Sequence, residues 1–106
     1  MPKIIKIDTS DNKKINIELN NNGDVKVLSS ESVLLKSEAA LPLIDKLLKE
    51  NSLSLEDIDG VDVNTGPGSY TGLRVGVAIA NTLGVFLNIP INGKKIGELA
   101  EPVYNN

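Results

Sequence analysis

The chain has 106 residues, of which 41% are hydrophobic and 24% charged, and its formal net charge is −3. That length suits one domain with a single core, and the composition is that of an ordinary globular protein. Cysteine, histidine and tryptophan are absent, which excludes a disulfide framework, thiol or imidazole catalysis and the usual ligands for zinc.

Ile4-Ile5-Lys6-Ile7 is rich in β-branched residues and predicts a first strand, running into a turn at Asp8-Thr9-Ser10. Ile15, Ile17 and Leu19 alternate with Asn16, Glu18 and Asn20, the period of a strand with one wet face. Asn20-Asn21-Asn22-Gly23 predicts a turn, because Asn and Gly tolerate positive φ. Val25 and Val27 then predict a third strand, paired back as a hairpin.

The period changes in the middle third. Ala40, Leu41, Ile44, Leu47 and Leu48 share one helical stripe, with Asp45, Lys46, Lys49 and Glu50 outside it. Ser37 or Glu38 would begin this helix, and Pro42 is tolerable within its first turns. Leu43 lies off the stripe as a second apolar spot. Ser54-Leu55-Glu56-Asp57 resembles a capping box, and Gly60 to Thr65 predicts a fourth strand.

A tight loop follows at Gly66-Pro67-Gly68-Ser69-Tyr70-Thr71-Gly72, then a helix to about Asn88. A fifth strand is expected at Ile91-Asn92-Gly93 and a short terminal helix over 96–101. The expected fold is α/β: a five-stranded mixed sheet in the order strand, strand, strand, helix, strand, helix, strand, with helices packed on it.

A glycine loop between strand and helix is where phosphate cradles occur. Here the Walker ending is missing, the third glycine of the dinucleotide spacing falls one residue late at Gly72, and Pro67 removes an amide donor. A sharp turn off the strand edge is the reading favoured. In the following helix Gly72, Gly76, Ala80 and Gly84 recur every four residues as one bare ridge. Each interior glycine costs a helix about 1 kcal/mol relative to alanine, so a close backbone approach is expected there. The other faces carry Leu73, Val75, Val77, Ile79, Leu83, Val85, Phe86 and Leu87, and a helix apolar nearly all round must be covered on every side. The expectation is a protein–protein interface beside the helix that holds Leu43, with burial by the sheet and the preceding helix as the alternative.

Arg74, the chain's one arginine, sits near the positive end of that helix. A carboxylate partner is expected, within the domain or across an interface. Glu56, Asp57, Asp59 and Asp62 invite a metal reading, and Asp57-Ile58-Asp59-Gly60 loosely echoes a calcium loop, but Val61 occupies the next ligand position and no glutamate stands at the twelfth. A solvated loop with no metal is expected. Ser10, Ser69 and Thr71 have no histidine to activate them and serve as turn formers and caps. Scattered basic residues, one Phe and two Tyr make a poor nucleic-acid surface. The N-terminus lacks a signal-peptide pattern, and the apolar stretch from Val75 to Leu87 is short for a bilayer span. A cytoplasmic protein without membrane contact or cofactor is expected.

Ile7-Asp8-Thr9-Ser10, the run from Ser37-Glu38 through Leu48, and Gly66-Pro67-Gly68-Ser69-Tyr70-Thr71-Gly72-Leu73-Arg74-Val75-Gly76 together resemble the TsaB (YeaZ-like) family. Ser54 to Ile58 and Asn88-Ile89-Pro90-Ile91 fit as well, so the resemblance covers residues 3–100. It implies an RNase H-like domain of the actin/Hsp70-like ATPase class, matching the N-terminal half of a two-lobed family whose second lobe has no counterpart in this chain. It also implies a non-catalytic partner of the TsaD subunit in making N6-threonylcarbamoyladenosine in tRNA, binding TsaD or itself through two helices. TsaD-like relatives carry a histidine metal motif that this chain lacks. The interface residues expected are Leu43, Leu47, Gly72, Leu73, Gly76, Ala80, Leu83 and Gly84. Alternatives are a small nucleotide-binding domain using Asp8, Thr9 and Ser10 with the Gly66–Gly72 turn, or a self-assembling remnant.

Overall fold

The structure, a computed structural model, describes residues 2–11, 13–31 and 36–103. Three strands come first: β1 (Lys3–Asp8), β2 (Lys14–Asn21) and β3 (Asp24–Glu31). They form an antiparallel meander, with Ile7 opposite Ile17 and Glu18 opposite Val27. Asn22 and Gly23 make the tight turn between β2 and β3, both at positive φ, the twist that two-residue hairpins favour. Helix α1 (Lys36–Glu50) includes the expected start at Ser37 or Glu38 and is followed by a single 3₁₀ turn, Leu55–Asp57. The Asp57 carboxylate accepts from the Ser54 amide at 2.9 Å and its hydroxyl at 3.2 Å, the capping contact that the sequence predicts. Those bonds hold the Asp57 carboxyl below its ordinary pKa. Strand β4 (Gly60–Val63) then joins β1 in parallel, and helix α2 (Tyr70–Leu87) follows.

The sheet has four strands, ordered β3-β2-β1-β4. The expected fifth strand is reduced to one parallel bridge between Ile91 and Val61. Its cause is local. Asn92 and Gly93 both take positive φ and turn the chain away, as Asn-Gly does in hairpins. The Asn92 side chain then replaces the missing strand, its Oδ1 accepting from the Val63 amide at 2.7 Å. The expected terminal helix over 96–101 is absent too. Gly97 sits at φ +98°, and Ala100 bonds through both its backbone groups to the Asn81 carboxamide at 2.8 and 3.0 Å. Those groups are therefore withdrawn from any helical ladder.

One face of the sheet is apolar and covered. Ile5, Ile7, Ile15, Ile17, Leu19, Val61 and Val63 are buried under α1 and α2. Each such side chain contributes roughly 1.5–3 kcal/mol of transfer free energy. The opposite face carries Glu18, Lys6 and Asp62 in register across β2, β1 and β4, with Val25 and Val27 of β3 exposed beside them. By length and composition alone α2 could cross a bilayer. Starting at Tyr70, it is longer than the apolar stretch from Val75 suggests. In this fold it is a core helix, with Leu73, Val77, Ala80 and Leu83 packed inward.

The glycine ridge faces inward as well, which corrects the reason given for an interface. A side chain at Gly76 would run into Thr9 and Val63, and one at Gly84 into Ile91. The Thr9 hydroxyl is buried and donates to the Gly72 carbonyl. Small residues let α2 settle close onto β1 and β4 of its own sheet. No second polypeptide is needed to explain them.

Candidate functional site

Two features gather at the first turn of α2, one polar and one apolar. Ser69 caps the helix, its hydroxyl accepting from the Gly72 amide at 3.3 Å. The helix thus begins at Tyr70, inside the stretch expected to be loop. Ser69 also donates its amide to the Ser10 carbonyl at 2.8 Å, so the turns after β1 and β4 are joined. Asp8 closes the cluster. Its Oδ1 accepts from the Ser10 amide at 3.0 Å, the Ser10 hydroxyl at 2.6 Å and the Asn64 carboxamide at 3.3 Å.

Asp8, Thr9 and Ser10 therefore do meet the Gly66–Gly72 turn. Several of the donors a phosphate would need are already engaged. The Gly66 amide goes to Asn64 Oδ1 at 3.0 Å and the Ser69 amide to Ser10, and Pro67 has none. Burial pushes the Asp8 pKa up, but the Ser10 and Asn64 hydrogen bonds and nearby Lys6 outweigh it, leaving the carboxyl below its ordinary value. A carboxyl with a lower pKa folded than unfolded stabilises above its unfolded value, near 4, and loses that contribution as pH falls through the folded one. Replacing Asp8 by Asn should therefore flatten the acid limb of stability. Urea unfolding midpoints followed from neutral pH into the acid range would check this, and an unchanged slope would contradict it.

The apolar feature is a groove of about 560 Å³ between α1 and the outward face of α2. Leu41 supplies the α1 wall, and Tyr70, Arg74, Val75, Ala78, Thr82 and Leu83 are among the α2 residues lining it. Tyr70, Arg74, Ala78, Thr82 and Phe86 recur every four residues and are all exposed, a row that winds about 40° round the helix at each step. Thr82 donates its hydroxyl back to the Ala78 carbonyl at 2.9 Å, satisfying its polar atom within the helix. Phe86 is 78% exposed and Val85 65%.

Arg74 lies at the mouth of the groove with its guanidinium 5.6 Å from the Tyr70 ring centroid. Among the described residues no carboxylate pairs with it. The carboxylate expected within the domain is replaced by the face of an aromatic ring, which attracts a cation through its quadrupole.

Of the interface residues expected from sequence, Leu83 lines the groove and Leu43 is half-buried. Leu47, Gly72, Leu73, Gly76, Ala80 and Gly84 are buried within the domain. Ala78 and Thr82 were not singled out, although their four-residue spacing with Tyr70 and Phe86 is a readable signal. Glu56 and Asp57 share the 3₁₀ turn, while Asp59 and Asp62 lie apart from it and from each other. Asp57 caps the 3₁₀ turn, Asp59 accepts from the Lys3 amide at 2.8 Å, and Asp62 lies on the sheet face away from the helices. Among the described residues no three acidic side chains are grouped to hold a metal.

Residues 34–94 match a family model described as TsaD: tRNA N6-adenosine threonylcarbamoyltransferase. The chain is 40% identical over 68 residues to a tRNA threonylcarbamoyladenosine biosynthesis protein TsaB from Buchnera aphidicola subsp. Baizongia pistaciae, covering 62% of this chain and 31% of that protein. It is 35% identical over 80 residues to the protein of the same name from Bacillus subtilis, covering 65% and 35%. YeaZ from Pseudomonas aeruginosa superposes with a TM-score of 0.80 at 24% identity, over 90% of this chain and 44% of that one. The chain thus spans about a third of the length of the first two relatives. With more than half of its residues inside the family model, and TsaB proteins and the YeaZ fold on either side of it, the chain belongs to the TsaB (YeaZ-like) family.

Proposed function

We propose that this chain is a non-catalytic accessory subunit for N6-threonylcarbamoyladenosine modification of tRNA, acting in the cytoplasm by docking its α1/α2 groove on a TsaD-type subunit or on a second copy. On this reading residues 1–106 form one RNase H-like domain of the actin-like ATPase class. Nucleic acid is met only through the partner. The observation that carries the proposal is the outward side of α2: a helix whose inner face is fully used still presents Tyr70, Val75 and Ala78 beside Leu41, with Phe86 exposed farther along. An apolar surface of that kind marks an interaction site.

The stripe suits a second helix. Ala78 is exposed in mid-helix on the groove side, where a partner helix could cross α2. The small side chain at the crossing point allows close approach. A TsaD-type helix would use the same floor and could offer Arg74 a carboxylate.

Light scattering on a sizing column, with the chain alone and mixed with a TsaD-type subunit, tests the reading. A dimer or a mixed complex is expected; a strict monomer that holds no TsaD would end it. A second reading, nucleotide binding at the joined Asp8–Ser10 and Gly66–Gly72 turns, is favoured by their convergence. Calorimetry with ATP and ADP, with and without magnesium, separates the two.

A further inference from the structure

We propose that the side chain of Asn22 is a site of spontaneous deamidation in the folded protein, and that the second Asn-Gly pair, Asn92-Gly93, is protected by the fold. Both pairs occupy tight turns with positive φ at each residue. In each, glycine follows asparagine, so no side chain shields the next backbone nitrogen. The reaction is the same at either place. A base removes the glycine amide proton, the glycine nitrogen attacks the asparagine Cγ, and ammonia leaves to give a five-membered succinimide. Water then opens that ring to aspartate or isoaspartate, so one water is consumed for each ammonia released.

What separates the two sites is the freedom of the carboxamide. Asn92 is half-buried and its Oδ1 holds the Val63 amide at 2.7 Å. Its backbone is fixed as well, the Asn92 amide donating to Val61 at 2.8 Å and the Lys94 amide to Ile91 at 3.0 Å. For the side chain to swing over the Gly93 nitrogen, the amide at the end of β4 must lose its acceptor, and an orphaned amide in such a place is costly. Asn22 is exposed at the tip of the β2–β3 hairpin, and among the described residues its side chain makes no hydrogen bond. The Gly23 amide is held by Asn20 Oδ1 at 2.8 Å, an exposed bond that water can replace. Conversion at Asn22 adds one negative charge to the formal −3. The isoaspartate product also inserts an extra backbone methylene into a two-residue turn that sets the hairpin register.

The test is peptide mapping by mass spectrometry after the native protein stands in mildly alkaline buffer, beside a sample held in denaturant. In the native sample Asn92 should convert at least about tenfold more slowly than Asn22, the factor that one lost hydrogen bond imposes. In denaturant the two should convert at similar rates. The Asn22→Gly variant, which keeps a glycine-rich turn, should remove the acidic species that native wild type accumulates. Equal native rates at the two sites would overturn the proposal, and so would a native Asn22 as inert as Asn92.

Discussion

Gly76→Leu is expected to leave little or no folded domain. The space a side chain would need at this position is filled by Thr9 and Val63, neither of which can move aside as a flexible tip would. Extra methylenes forced into a packed core cost about 1–3 kcal/mol, occasionally more. Displacing Thr9 also breaks its bond to the Gly72 carbonyl and strands a buried hydroxyl, a further loss of roughly 1–3 kcal/mol. Together, about 2–6 kcal/mol, these reach the lower end of the stability of a small domain, about 5–15 kcal/mol. Circular dichroism should show no cooperative melt for the leucine variant. Gly76→Ala should fold with a depressed midpoint, because the clash of one methyl is partly offset by about 1 kcal/mol of helix propensity. Wild-type melting of Gly76→Leu would show that α2 does not lie on β1 as described.

Ala78→Arg is expected to do the reverse, weakening the proposed association while sparing the fold. Ala78 is exposed, in mid-helix, on the stripe that lines the groove. Arginine is almost as good a helix former as alanine, so stability should hold within about 0.5 kcal/mol, the usual range for surface changes. At a helix crossing the new side chain must bury a charge or push the partner away. Leaving a charge unpaired in an apolar contact costs several kcal/mol, and each 1.4 kcal/mol is about tenfold in affinity. A loss of binding on the order of 100-fold is expected in equilibrium sedimentation. If Ala78→Arg associates as the wild type does, the groove is not the contact surface. The two variants would thus separate the face of α2 that builds the domain from the face proposed to meet other molecules.

That division is the part of the site least legible beforehand. Two four-residue stripes run along α2: Gly72, Gly76, Ala80 and Gly84 on one side, Tyr70, Arg74, Ala78, Thr82 and Phe86 on another. Both are visible as spacings. Neither says which turns inward, because the atoms that decide it belong to Thr9, Val63 and Ile91, remote in the chain from most of the ridge. Arg74 poses the same problem. Its need for a compensating partner follows from its place at a helix N-terminus, but the ring that meets it becomes a neighbour only once the helix starts at Tyr70.

The amino-acid order alone determined what short-range forces control. The alternation of Ile15, Ile17 and Leu19, the Asn22-Gly23 turn, the Ser54–Asp57 cap and the α1 stripe of Ala40, Ile44, Leu47 and Leu48 appear where local period and turn chemistry put them, whereas Leu41, expected on that stripe, is 51% exposed at the groove. Asn92-Gly93 is the same signal as Asn22-Gly23, and reading it so stops the fifth strand at Ile91. Tertiary structure alone decided the strand order, the meeting of the Asp8 and Ser69 turns, and the direction in which the glycine ridge faces. The reason is range: backbone preference acts over a few residues, whereas close packing is settled by whichever distant segment occupies the neighbouring space.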